Sequence, residues 1–266
     1  MPAVVITSPD KESSYSIDPV SGAVEKITFN EKLPANDRKS VVAIANKHFA
    51  GAFGLSSDRG ALTTVKVLQC QKIGEQGLVL MRLMRDAAGN DFTVTTTYKA
   101  QGNYNIQAAM QIGNSGKNAV AVPGVIVSAG DLQMWYQLSG DKRSSSQELH
   151  TVEYCTLKGK VKYENANCDS DDWAELNGKT VRWGGAANRF FAQLIKSSEP
   201  GKLKLDRVVY PAGSKEYIVN ANLAFEAFTL APKTFKTFTF DCYTGPKLPE
   251  MLDKFDSEGS QVMHLG

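Results

Sequence analysis

Histidine is scarce in this chain, cysteine nearly so, and charge of one sign is not in excess. Three histidines occur among 266 residues, at His48, His150 and His264. They lie far apart, and His264 falls in a tail expected to fray, so a histidine-based metal site has little to build on. The four cysteines, Cys70, Cys155, Cys168 and Cys242, show no C-x-x-C spacing, which argues against a zinc ribbon or a thioredoxin-type redox motif. Lysine and arginine total 30 against 28 aspartates and glutamates, a net charge of +2. A nucleic-acid-binding chain would show a basic excess in clusters. Gly-rich phosphate loops, the G-x-S-x-G elbow and H-E-x-x-H are all missing. No apolar run reaches the about 20 residues a membrane span needs. The best stretch, 119–130, is interrupted by Pro123-Gly124. The first residues, MPAVVITSPDKESS, lack the basic segment and apolar core of a signal peptide.

What the chain has is strand signal. Runs rich in Val, Ile, Thr, Tyr and Phe recur between Gly, Asn, Asp and Pro. They predict strands over 4–7, 23–29, 41–49, 62–70, 78–85, 92–99, 103–112 and 120–127. Further strands are expected over 132–138, 149–157, 161–163, 202–210, 217–230 and 234–243. Within 103–112, Tyr104, Ile106, Ala108 and Met110 share one face by alternation. Helix signal is confined to two places. Residues 185–196 read as a helix with Phe190, Phe191, Leu194 and Ile195 on one side. After Pro246, placed in a first turn, Leu248, Met251, Leu252 and Phe255 repeat at helical spacing, with Glu250 early, Lys254 late and Gly259 beyond. Many short strands with two minor helices predict a mainly β fold of antiparallel sheets stacked as a sandwich.

Four groups of side chains are candidates for chemistry. Cys155 and Cys168 flank an expected hairpin and are the preferred pair if any disulfide forms. The favoured reading keeps all four thiols reduced, because a chain of this length needs no staple. The acidic run Asp169-Ser170-Asp171-Asp172 lacks the glycine and distal glutamate of a calcium loop and reads as a solvated loop. Glu148, His150 and Glu153 lie close along one strand, with Glu148 and His150 on a shared face. Of the aromatic residues Trp135-Tyr136, Trp173 and Trp183, core packing is the expected role.

Two segments resemble one family. Val181-Arg182-Trp183-Gly184-Gly185 with Asn188-Arg189-Phe190-Phe191 is similar to a stretch in the periplasmic domain of the membrane protein insertase YidC, where a Trp precedes a short helix and an aromatic pair. Phe240-Asp241-Cys242-Tyr243-Thr244-Gly245-Pro246-Lys247-Leu248 resembles that family's last strand, its Gly-Pro-Lys turn and the amphipathic helix after it. The 15–29 segment, with its Gly22 turn, and the strand-turn-strand pattern of 103–122 add weaker support. Residues 32–91 are generic β sequence.

The resemblance implies a β-supersandwich of the galactose mutarotase-like kind over 1–245. A C-terminal helix and connector over 246–266 would lead towards a second membrane span that this chain lacks. It implies a periplasmic location, in a full-length inner-membrane protein from which a soluble domain was cut with Met1 added. Expected partners are the Sec translocon components SecDF and SecYEG and nascent membrane-protein substrates. No catalysis, cofactor or metal is expected, and the isolated domain is expected to be a monomer. Trp183, Phe190, Phe191, Gly245 and Pro246 are carried over as structural residues of the family motifs. Leu248, Met251, Leu252 and Phe255 form the partner or connector helix. The alternative is a mutarotase-like sugar-active enzyme or carbohydrate-binding module, for which His48 or His150 would work with Glu148, Glu153 or Glu226.

Overall fold

The structure, a computed structural model, describes residues 1–29, 42–45, 48–132, 150–209 and 217–264. It opens with a four-stranded antiparallel meander, β1 (Val4–Thr7), β2 (Ser13–Ile17), β3 (Val24–Phe29) and β4 (Val42–Ala45). After β5 (Leu55–Ser57) come four strands joined as consecutive hairpins: β6 (Thr63–Ile73), β7 (Gly77–Arg85), β8 (Asp91–Gly102) and β9 (Asn105–Gly113). β10 (Val120–Val122), β11 (Val125–Leu132), β12 (Thr151–Thr156) and β13 (Val161–Asn165) precede the helix α1 (Ser170–Leu176). The chain closes with β14 (Thr180–Ala187), β15 (Phe191–Val209), β16 (Tyr217–Phe225), β17 (Phe228–Leu230), β18 (Phe235–Pro246), the helix α2 (Pro249–Phe255) and a 3-10 helix (Gly259–Met263).

The mainly β, antiparallel architecture expected from the sequence is what forms. The large sheet runs in the order β13-β12-β14-β15-β18-β9-β8-β7-β6. Its inner face follows directly from alternation. Leu78, Leu80, Arg82 and Met84 on β7 oppose Tyr98, Thr96, Val94 and Phe92 on β8. Met110 and Ala108 on β9 then oppose Phe238 and Phe240 on β18. All of these side chains are buried.

Strand β15 holds two layers together. Its first residues, 191–197, pair with β18, and its last, 202–209, pair with β16. β16 carries β11, and β11 carries β5. The layers meet where the Cys242 thiol on β18 reaches the Ala129 carbonyl on β11 and where Phe225 packs against Phe238 and Phe240.

The N-terminal meander is fastened to the large sheet by rings and by one buried cation. Phe29 stacks on Phe191 at 5.6 Å and meets Tyr104 edge-on. Arg82 lies under the 18–23 turn, where its guanidinium donates to the Val20 and Ser21 carbonyls. Tyr98 donates its hydroxyl to the Gly22 carbonyl at 2.6 Å. Gly22 has φ +72, and a Cβ there would lie 2.5 Å from the guanidinium carbon, so only glycine fits.

Several expectations need correction. Residues 185–196 are not a helix. They are the end of β14, a turn at Asn188, and the start of β15. The Asn188 carboxamide oxygen accepts from the Phe190 and Phe191 amides and closes the turn. Both faces are covered on either side of the turn, over 185–187 and 191–195, so the apolar run carries no period to distinguish strand from helix. The acidic run is a helix start, not a loop. Asp169 is the N-cap of α1 and accepts from the Asp171 and Asp172 amides at 3.0 Å. The strand expected at 217–230 is two strands, β16 and β17. Trp135, Tyr136, Glu148 and nearly all of the strand expected at 132–138 lie outside the described residues.

Candidate functional site

The outer face of the large sheet at β12, β14, β15 and β18 is the surface on which the C-terminal segment lies. Paired residues point the same way. One row across these strands is therefore Cys155, Trp183, Lys196 and Asp241, and the next is Glu153, Gly185, Leu194 and Tyr243. Short strands with one exposed face would show polar residues here. Instead Cys155, Trp183, Glu153, Leu194 and Tyr243 are all buried.

The cover is α2. Pro249 occupies its first turn, Glu250 lies near the start and Lys254 near the end, as propensity and dipole favour. Pro246 does not take the first-turn role expected of it. It ends β18, opposite Phe191. Leu252 and Phe255 are buried, and Met251 is partly so, but Leu248 at the N-cap is 40% exposed. The Phe255 ring meets Trp183 at 6.2 Å and Tyr243 at 6.2 Å. Burying Leu252 and Phe255 stabilises this docking by roughly 2–3 kcal/mol each.

Charge reinforces the contact. Asp256, which follows α2 and is nearly inaccessible, accepts from Arg182 Nη2 at 2.8 Å, with Lys196 Nζ at 3.9 Å. Lys196 also donates to the Phe255 carbonyl. Lys254 reaches the Asn103 carboxamide oxygen at 2.9 Å.

The 3-10 helix completes the cover. Its first residue, Gly259, passes so close to α2 that a Cβ would lie 2.1 Å from the Leu252 carbonyl oxygen. The turn carries His264 onto β13, where its ring packs tilted against Tyr163 with centroids 4.0 Å apart. His264 Nε2 also lies 2.8 Å from Glu153 Oε1. The tail expected to fray is therefore held. Burial pushes the Glu153 carboxyl up, against the opposing pull of His264, the Thr151 hydroxyl and Lys247. Lys247 is itself lowered by burial.

The family-motif residues fall at different depths in this arrangement. Trp183 is the floor under Phe255. Phe191 is buried against Phe29, whereas Phe190 is 42% exposed in the turn, under Arg189. Gly245 faces Tyr104, whose ring atoms lie 2.5 Å from any added Cβ. The acid partners of this site, Asp256 and Glu153 with His264, carry no sequence signal, because their contacts span 74 and 111 residues.

The sugar-chemistry candidates do not converge. Alternation puts His150 on the Val152 and Tyr154 side of the β12 strand and Glu153 on the other. Burial holds the His150 ring neutral, pushed down to about 4, against the Leu132 and Tyr217 backbone. Glu226 is exposed and paired with Lys202 at 2.5 Å. Clefts on the described surface include one of 440 Å³ between Arg59, Asp86 and Phe228 and one of 330 Å³ between Gln101, Gln107, Asp241 and Lys254. Neither is lined by a histidine or a glutamate among the described residues. All four cysteines are free thiols, so Cys155 and Cys168 are not joined. Among the described residues no acidic, cysteine or histidine cluster of metal-binding size occurs, and no helix is long and apolar enough to cross a membrane.

Solved structures of the same fold include a putative aldose 1-epimerase from Escherichia coli K12, with 10% identity and TM-score 0.55, covering 92% of this chain and 99% of that one. A GalM/aldose epimerase homologue from C. elegans has 9% identity and TM-score 0.56, covering 92% and 99%. A Synechocystis sp. PCC 6803 protein has 12% identity and TM-score 0.53, covering 92% and 96%. At such identities the likeness is one of fold, of the galactose mutarotase-like kind. No curated protein matches the chain. The family described as the YidC periplasmic domain matches residues 15–263, from the second strand to the last turn of the docked C-terminal segment. With a match of that extent over a sandwich of this fold, the chain belongs to the YidC periplasmic domain family.

Proposed function

We propose that this chain is the periplasmic domain of a YidC-type membrane protein insertase and acts as a rigid platform without catalysis of its own. On this reading it assists insertion and folding of inner-membrane proteins through contacts with SecDF, SecYEG or nascent membrane-protein substrates. One observation carries the reading: the C-terminal segment is welded to the sheet by Leu252, Phe255 and the Arg182–Asp256 pair. A connector so fixed would set the angle between the sandwich and a following membrane span. The division at 245/246 is then functional rather than structural, since both parts share one core.

The test is fractionation of the source cells, probed with an antibody to this domain. A species retained in carbonate-washed membranes and much heavier than 28.9 kDa is expected. A soluble species near that mass would overturn the proposal. In the full-length protein, Leu252→Asp with Phe255→Asp should lower insertion activity and open the 246–266 segment to protease.

A further inference from the structure

The hairpin joining β12 to β13 ends in a turn that points an amphiphilic surface into solvent. Leu157 is 54% exposed at its tip, and Lys158, Lys160 and Lys162 are exposed around it. The turn is firmly built. Gly159 donates to the Thr156 carbonyl at 2.9 Å, Lys160 to the Thr156 hydroxyl at 3.1 Å, and Thr156 to the Lys160 carbonyl at 2.9 Å. No aspartate or glutamate occurs from 154 to 163. None of the three lysines pairs with a carboxylate among the described residues. The nearby Lys179 and Arg182 do have acid partners, Glu175 and Asp256, so in this neighbourhood the unpaired positive charge is that of the hairpin lysines.

We propose that this tip rests on an anionic lipid surface. A single leucine set among lysines suits the boundary between acyl chains and charged headgroups, with the lysine stems lying along the apolar layer and their ammonium groups in the headgroups. An acidic protein segment would satisfy the lysines and leave Leu157 in water. A membrane surface takes both. The inference rests on the proposed function, in which the C-terminal segment leads to a membrane span. His264, the last described residue of that segment, packs against Tyr163, three strand residues or about 10 Å from the turn. The last described residue of that segment therefore lies on the same strand pair as the hairpin turn. Each lysine near such a surface raises partitioning roughly fivefold. That is weak for a free domain but sufficient for one tethered beside the membrane, where the effective concentration is high.

The experiment sediments the 266-residue chain with vesicles of phosphatidylcholine alone or mixed with phosphatidylglycerol, at low and moderate salt. Binding is expected only with phosphatidylglycerol, and salt should weaken it. Replacing Lys158, Lys160 and Lys162 together by Gln should weaken it roughly 100-fold, and Leu157→Asp roughly tenfold. All four positions are exposed, so the variants should melt with the parent chain. Absence of binding by the folded parent would overturn the inference, as would equal binding by the triple variant. Equal binding by Leu157→Asp, with equal binding of soluble polyglutamate, would overturn it in favour of an acidic protein partner. The parent reading fails separately, by finding the native chain free of membranes in cells.

Discussion

At the scale of single residues, the groups that would attract a mechanism are those the fold has silenced. His150 is the clearest. Its ordinary value of 6.5 falls to about 4 in the folded chain, because burial penalises the charged ring. Between these values the unfolded chain binds more protons than the folded one, so stability rises with pH through this window and falls as pH drops towards 4. The full loss is about 3 kcal/mol. Urea unfolding of the parent and of His150→Gln should show a shallower pH dependence in the variant between pH 4 and 6.5. Cys242 behaves likewise: burial raises its thiol to about 12. Maleimide should label the half-exposed Cys70 and Cys168 in the native chain, and Cys242 only after denaturation, which mass spectrometry would count. The sequence offered His150 and Glu153 as neighbours, and so they are along the strand. Which face each took was hidden, because β12 is buried on both sides and its residue pattern cannot name an outside.

At the scale of elements, the weak point of the cover is its tightest one. Gly259→Ala places a methyl group 2.1 Å from the Leu252 carbonyl, against backbone that cannot yield like a side-chain tip. The 3-10 helix should detach, and amides of β12 near Glu153 should exchange faster in hydrogen-exchange mass spectrometry. Asp256→Asn should cost about 2 kcal/mol in urea unfolding, since Arg182 and Lys196 lose their shared carboxylate while Arg182 stays partly solvated. The helix itself was legible: Leu252 and Phe255 at helical spacing, Glu250 before and Lys254 after. The 185–196 segment was not. Phe190, Phe191, Leu194 and Ile195 satisfy a helical stripe equally well, and only pairing with β14 and β18 decides for a strand. The short α1 was missed because its strongest signal, Asp169 capping two amides, looks in sequence like one more acidic loop.

At the scale of the molecule, sheet edges set the hazards. Strand β6 ends the large sheet and exposes Val65, Leu68 and Ile73. Two register shifts against β7, around Thr64–Lys66 and Val67–Gln69, twist it, and Lys66 and Lys72 add charge. These are devices that discourage edge-to-edge pairing. Lys66→Val with Lys72→Val should raise light scattering on warming, at little cost to the melting temperature. The sandwich class followed from strand count and spacing. The sharing of β15 between layers did not, because the sequence reads the first part of this 19-residue strand as the end of a helix over 185–196 and the rest as a strand over 202–210, with Pro200-Gly201 just before the latter.

Strand β18 lies between β15 and β9 and runs straight into α2. A pull on the C-terminal end must first strip α2 and the 3-10 helix from the sheet, and only then reaches β18. Its hydrogen bonds to both neighbours are loaded in shear and must yield together, whereas a hairpin at an edge would unzip one bond at a time. If a moving membrane segment tugs on this domain, the load that passes the docked cover enters at an interior strand rather than at a sheet edge.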